Sequence, residues 1–359
     1  MSAAVPQFSR SLVDKAGRQL VADDSVTEET DAAWEILANW RSAHAFPLNT
    51  ITMDLRQKVN KIDSSAIVVQ RLKRSRSILA KLSAKPSMRL TQMQDIGGCR
   101  AVLKTISDVY SLREKYKNSK SLHELVTEDD YIVHSKSSGY RGIHLVYKFQ
   151  SKSKEKYNKL LFEVQLRTIT QHAWATAVET VGAVIGQALK SSEGELAWLH
   201  FFQKAAVALE HMEDPEKAAV RSPEKRILAR SIFDLSRSLD VTKKLTAYRS
   251  ALKATENEFK KGAGYFLLVL LPDQLGLQIH SFEKRDAERA HKEYARLERQ
   301  LPLRTKQLPL FPELSDYTGA QVVLVGAESF RSIHEAFPNY YLDTKIFQNS
   351  LEDFVIRHR

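Results

Sequence analysis

The chain predicts an α/β fold: a mixed β-sheet flanked by helices, followed by a long helix and a small α+β unit. Three observations carry this. Between residues 27 and 188, stretches with helical apolar spacing alternate with strand-length runs around 98–105, 129–135, 143–149 and 160–166. Gly, Pro and polar clusters separate them. Of 359 residues 43% are hydrophobic, enough to bury a real core.

Residues 1–25 carry no strong pattern. Thr27 opens a helix through Trp34, Ile36, Leu37 and Trp40; Thr27 with Thr30 makes a poor capping box, and Asp31 is a second candidate cap. Pro47 closes it. The next helical stretch runs from Ile51 into Val68–Ser83, broken near 62–65 and stopped by Pro86. The Gly97-Gly98 pair then opens a strand. Val109–Tyr116 reads as a short helix, Asp129–Ser135 and Ile143–Phe149 as strands, and Ser151–Lys159 as a charged, mobile connection. Leu160–Leu166 is a strand that alternates Leu161, Glu163 and Gln165 against Phe162, Val164 and Leu166. Thr168–Ala188 is helical.

Lys190–Glu195 is a polar joint and Leu196–Met212 an amphipathic helix. Pro215 and Pro223 bracket a charged loop. Arg226 to about Lys260 reads as one long bridging helix. Strands Gly264–Leu271 and Leu275–Phe282, a charged helix Arg285–Gln300 and a strand Gln321–Gly326 form a small unit. The end is amphipathic, with Phe347, Leu351, Phe354 and Val355. The expected domains are 1–195, a helical connector 196–262, a regulatory unit 263–343 and an anchoring helix 344–359.

Lys and Arg number 54 against 43 Asp and Glu, a net charge of +11 that points to an anionic partner: nucleic acid, nucleotide phosphates or an acidic membrane face. The lone cysteine, Cys99, excludes an internal disulfide and any multi-cysteine zinc site. No 18-residue apolar run occurs, and MSAAVPQFSR lacks the apolar core of a secretory signal. The expectation is a soluble, cytoplasmic protein without zinc and without a membrane partner.

Four clusters carry chemistry. The first is Arg71, Lys73, Arg74, Arg76, Lys81, Lys85 and Arg89, with no acid between Ile67 and Gln94. A solvated helical face is the plain reading; an uncompensated basic run also suits an external phosphate. The second is Asp95 ahead of the glycine pair, either a turn residue or a metal ligand. The third, SKSSGYRGIH (135–144), combines Gly139 and Gly142 with Lys136, Tyr140 and Arg141; a phosphate cradle with a base-stacking ring and a simple hairpin both fit. In the fourth, Glu163, Gln165 and Arg167 share one strand face, a solvent face or a site wall. Asp95 and Glu163 together could hold one Mg²⁺, and the whole set suits nucleotidyl or pyrophosphoryl transfer.

The segments RLKRSRSILAKL, DIGGCRAVL, GYRGIHLVYKF and FEVQLRTITQHAWATAVE resemble, in order and spacing, the synthetase domain of the RelA/SpoT family over residues 30–190. The resemblance implies a nucleotidyltransferase-like fold and Mg²⁺-dependent transfer of pyrophosphate from ATP to a ribose 3′ hydroxyl, in most members that of GDP or GTP. It implies that Arg71 stacks on adenine and that Lys73, Ser77 and Lys81 contact ATP. Asp95 and Glu163 become the metal ligands, with Arg100, Gln165 and Arg167 beside them. Lys136, Tyr140, Arg141 and His144 become acceptor-side residues, Tyr140 stacking on the base. Ser135 stands where the family often has Pro, which leaves this loop less rigid. No His-Asp dipeptide occurs, so the family's hydrolase activity is not expected. His123, His134 and His172 are too dispersed for a metal set.

The ending VVLVGAESFRSIHEAFPNYYLDTKIFQNSLEDFV resembles the C-terminal part of fused toxin–antitoxin members, the CapRel type. That resemblance implies an acceptor at the 3′ CCA end of tRNA, a metal-free pseudo-zinc-finger unit that restrains the enzyme, and a phage protein as activator in antiviral defence. The alternatives are a long (p)ppGpp synthetase of the stringent response and a degenerate synthetase acting as a binding module. Tyr340 and Tyr341 are either a partner-recognition patch or core.

Overall fold

The computed structural model describes residues 4–23, 27–184, 196–214, 222–242, 245, 265–271, 276–300, 321–326 and 344–359. The N-terminal stretch that reads as patternless is a helix, α1 (Arg10–Ala22), capped by the Ser9 hydroxyl. Its buried face is Val13, Ala16, Gly17 and Leu20. The helical period is present but half of it is carried by Ala and Gly, which read as neutral. A Cβ on Gly17 would lie 3.0 Å from that of Leu90, so the small residue permits close packing.

Helix α2 (Glu28–Ala43) starts with the Thr27–Thr30 capping box, Thr30 serving where Glu or Gln is usual. His44 turns the corner into α3 (Ala45–Asn60), so Pro47 lies in the first turn of a new helix, where its missing N–H costs nothing. The predicted helix over Val68–Leu72 is a strand, β1 (Ile67–Leu72). Its β-branched Ile67, Val68 and Val69 suit the pleated surface, and the pairing with β2 (Gly97–Leu103) decides the state. Helix α4 (Ser75–Ala84) follows.

Beyond β2 come α5 (Ile106–Lys117), β3 (Glu124–Asp130), β4 (Ile143–Lys148), β5 (Leu161–Thr168) and α6 (Ile169–Val184). The strand expected over 129–135 is displaced: Asp130 accepts from the backbone N–H groups of Ile132 and Val133, which ends β3 and turns the chain. The expected mobile connection is pinned. Asn158 bridges to both backbone groups of Ser151, and Tyr157 is buried against Phe46.

The five strands run in the order β1-β2-β5-β4-β3, with β2 and β5 parallel and the other pairs antiparallel. One face packs Cys99, Ala101, Leu145, Phe162, Val164 and Leu166 into a core with helices α1 to α5. The other face carries the polar residues. Beside it lies a second core built by α6, α7 (Leu196–Glu213), α8 (Pro223–Ser238) and the C-terminal helix α10 (Lys345–His358). Phe347, Leu351 and Phe354 of α10 are buried there, Phe347 against Phe201 and Phe202 and Phe354 against His211.

The predicted long helix ends early, at Ser238; Asp240 takes a left-handed φ of 52°. Its continuation over 246–260 lies outside the described residues. So do residues 185–188 at the end of the helix expected after Thr168, the joint at 190–195, the charged loop at 215–221, and Tyr340 and Tyr341. A second, antiparallel sheet has the order β7-β6-β8, from β6 (Tyr265–Leu271), β7 (Gly276–Phe282) and β8 (Gln321–Gly326). Helix α9 (Ala287–Gln300) covers it through Tyr294 and Leu297, packed with Leu267, Val269 and Val322.

Candidate active site

Period-two alternation places Glu163, Gln165 and Arg167 of β5 on the face opposite the first core. Register adds the neighbours. Arg100 of β2 and His144 of β4 both pair with Gln165, forming one row across three strands. The next row runs from Arg71 through Gly98 to Glu163. Gly98 leaves that row without a side chain, and a gap separates the exposed Arg71 from Glu163. A Cβ there would meet nothing nearer than the Glu163 carbonyl at 3.6 Å, so the gap serves access rather than packing. Gly97 is the packing glycine: a Cβ would sit 2.6 Å from the Phe162 ring.

Gln165 ties the row together. It donates to Glu163 at 2.6 Å and accepts from Arg100 at 3.1 Å and from Arg167 at 2.9 Å. His144 Nδ1 lies 2.8 Å from Glu163 Oε1. Burial raises the Glu163 carboxyl, but the hydrogen bonds from His144 and Gln165 outweigh it and hold the group well below the usual range, ionised. Burial keeps His144 neutral, so Nδ1–H donates to Glu163 and Nε2 accepts from Tyr140. Arg100 is enclosed; burial, then Arg167, push it down to about 9, still protonated at neutral pH.

Asp95 stands beside this face. Lys73 and Lys81 each donate to one of its oxygens at 2.9 Å. Burial works against its charge, and the two ammonium groups win and lower its pKa. The basic run is therefore not uncompensated. Lys73, just beyond β1, and Lys81, on α4, find their acid beyond Gln94, where local sequence spacing does not look. Ser77 is half-buried on α4. The donor chemistry suits Mg²⁺: two ionised carboxylates, hard oxygen ligands, with cations around them for phosphate. Among the described residues no group of three His, Cys, Asp or Glu forms a metal set, so phosphate oxygens would complete the shell.

The 136–144 loop is closer to the core than its polar sequence suggests. Tyr140 is 6% exposed, its ring set against Tyr131, His144 and Trp174, so it enters the site through its hydroxyl and not through an open stacking face. That hydroxyl accepts from Arg167 Nε at 2.9 Å and Nη2 at 2.6 Å. Arg167 is 1% exposed. Lys136 is exposed, 4.2 Å from the centre of the Tyr131 ring and 5.3 Å from that of Tyr140. Arg141 is buried against Glu213, at 2.7 Å. The loop turns at Gly139, φ 91°, where a Cβ would lie 2.6 Å from that of Ala206. Sequence reasoning missed Tyr131, Arg41 and Glu213. Glu213 lies 72 residues from its arginine, and no local pattern connects them.

Residues 70–181 match the family model for the region found in RelA / SpoT proteins. The matched stretch contains Arg71, Lys73, Asp95, the 136–144 loop and β5, which the fold assembles on one face of the sheet. The chain is 38% identical over 113 residues to GTP pyrophosphokinase YjbM of Bacillus subtilis, covering 30% of this chain and 52% of that protein. It is 32% identical over 111 residues to GTP pyrophosphokinase YwaC of the same organism, again 52% of that protein. An uncharacterized protein, Rv1366 of Mycobacterium tuberculosis, is 26% identical over 134 residues, 36% of this chain and 44% of that one. The chain thus spans about half the length of the curated relatives it matches. Among solved structures, small alarmone synthetase 1 from Bacillus subtilis bound to its product pppGpp aligns with a TM-score of 0.41 and 27% identity, over 48% of this chain and 92% of that one.

Proposed function

We propose that the chain is an ATP-dependent pyrophosphokinase that modifies a ribose 3′ hydroxyl. The observation that carries this is the pairing of Asp95 with Lys73 and Lys81 beside ionised Glu163. Two carboxylates and a set of cations on one sheet face are what phosphoryl chemistry needs from a protein, which mainly positions groups and offsets charge. The names of the two Bacillus relatives support the reaction class.

In this reading Arg71, exposed beside the Gly98 gap, stacks on adenine. Lys73 and Lys81 turn from Asp95 to the ATP phosphates, releasing the Asp95 oxygens. Asp95 and Glu163 would hold Mg²⁺, which supplies charge stabilisation on the transferred group. His144 and Gln165 keep the Glu163 carboxylate aimed and ionised. The acceptor 3′ oxygen attacks the β-phosphorus, AMP leaves, and the hydroxyl proton is lost to water. Lys136 and Arg141 flank the acceptor. Base stacking by Tyr140 requires its loop to swing out of the second core; Tyr131, half-buried under Lys136, already borders the loop.

The acceptor in this proposal is the 3′ CCA end of tRNA, and the chain is a fused toxin–antitoxin restrained in cis until a phage protein engages residues 263–343. The +11 charge favours a polyanion over a mononucleotide. The restraint is supported by α9, which rests on α4, the helix that carries Lys81. Arg41 donates to the Lys73 carbonyl at 2.7 Å and to the Tyr294 hydroxyl of α9 at 3.3 Å. The second reading, a (p)ppGpp synthetase using GDP or GTP, is favoured by the names of the relatives.

One experiment separates them: ATP labelled in its γ-phosphate, offered with deacylated tRNA and GDP side by side. Label on tRNA is the expected result. Label on guanine nucleotide alone overturns the tRNA assignment, and label on neither, with the activator present, leaves only the binding-module reading.

A further inference from the structure

Helix α7 lies outside the RelA/SpoT match, yet it touches the 136–142 loop at three heights. Gln203 donates to the Ser137 carbonyl at 2.8 Å. Ala206 fills the space that a Cβ on Gly139 would need. At the last residue of the helix, Glu213 receives Arg141 Nη1 at 2.7 Å. The spacing of 203, 206 and 213 keeps all three on one helical face.

Glu213 is unusual for a helix-terminal acid. Its side chain is 7% exposed, and donors converge on it from three elements: Arg141 of the loop, the Thr168 hydroxyl at the end of β5, and Gln171 in the first turn of α6 at 3.5 Å. Arg141 is 8% exposed, and its Nε has no hydrogen-bond partner among the described residues. A buried guanidinium held by one carboxylate is directed by it, because turning away leaves the charge unpaired in a low-dielectric site. The helix is in turn held from behind, since Phe201 and Phe202 pack on Phe347 of the C-terminal helix.

We infer that α7 is the template for the acceptor loop and that Glu213 is its positioning residue, aiming Arg141 at the acceptor without touching it. This rests on the assignment of the 136–144 segment to the acceptor side. It predicts that acceptor affinity, and not ATP affinity, depends on a helix that follows the catalytic sheet.

The test uses the full chain and needs no turnover. Binding of fluorescent deacylated tRNA, fluorescent GDP and a non-hydrolysable ATP analogue is measured by anisotropy for wild type, Glu213→Gln, Arg141→Gln and the double variant. Gln keeps the size of Glu213 and an acceptor for Thr168 but removes the charge facing Arg141. The expected result is acceptor binding at least about tenfold weaker in both single variants, the ATP analogue within about twofold, and a double variant no weaker than Arg141→Gln alone. Glu213→Asp, which restores the charge, recovers part of the loss. Equal weakening of acceptor and ATP analogue, or an additive double variant, overturns the inference. Unchanged acceptor binding in Arg141→Gln overturns the acceptor assignment with it, whereas loss in Arg141→Gln alone overturns only the role of Glu213. Should Glu213→Gln fail to fold, Gln203→Ala must show the same selective loss in smaller measure; without that loss the template role is wrong.

Discussion

Asp95 shows how one residue serves two states. Its carboxylate neutralises Lys73 and Lys81 in this structure, and the proposed reaction asks it to release them. Asp95→Asn is expected to lower kcat by about 10²–10³-fold without raising KM for ATP, because the two lysines lose a competitor for the phosphates. Glu163→Gln should lower kcat similarly and also loosen His144; steady-state kinetics of both variants check the pair, and wild-type rates would remove them from the site. His44 carries a separate prediction. It is fully buried between Trp40 and Phe162 and donates to the Trp40 carbonyl, and burial lowers its pKa to about 4. The unfolded chain binds a proton there below about 6.5, the folded chain only below about 4. Stability from His44 is therefore complete above pH 6.5 and declines as the pH falls toward 4, by up to about 3 kcal/mol. Urea unfolding at pH 7.5 and 5 should show this slope, and His44→Asn should flatten it.

At the scale of elements, local pattern succeeded where one strong period ran uninterrupted. Val109–Tyr116, Leu160–Leu166 and Arg285–Gln300 carry such periods, and α5, β5 and α9 stand there within a few residues. It failed where two elements abut. Ile67–Leu72 is followed within three residues by a true helix, and only pairing to β2 reveals the strand. The C-terminal helix is the clearest case for prediction: its apolar residues at 347, 351 and 354 mark an amphipathic helix, but their partners lie on α6, α7 and α8. Phe354→Ala is expected to cost about 3–5 kcal/mol as a cavity in this second core, read as a lower urea midpoint at unchanged slope. A loss under 1 kcal/mol would mean that α10 is not part of that core.

The whole molecule joins its parts through contacts that no single part announces. A chain ended at residue 260 would lose α9 and the proposed restraint, but also α10 and the core behind the 136–144 loop. Tyr294→Phe is the cleaner variant, since it removes the hydroxyl that receives Arg41 and keeps the ring packed with Leu267, Val269 and Val322. It is expected to raise basal pyrophosphate transfer several-fold and to slow growth of the expressing cells. Unchanged basal activity would argue against restraint at this point.

The sequence by itself determined the α/β class and the order of most elements, and it put forward Asp95, Tyr140 and Glu163 as candidate site residues, because they stand in contiguous segments whose spacing is set by single strands and loops. Only the tertiary structure decided how those residues are satisfied. Asp95 is claimed by two lysines, Tyr140 is turned inward onto Arg167, and Arg141 is answered by Glu213 from a later helix. The physical reason is that a buried charge or hydroxyl must find a partner wherever the fold brings one, and that partner is chosen by distance in space, which the order of residues along the chain does not encode locally.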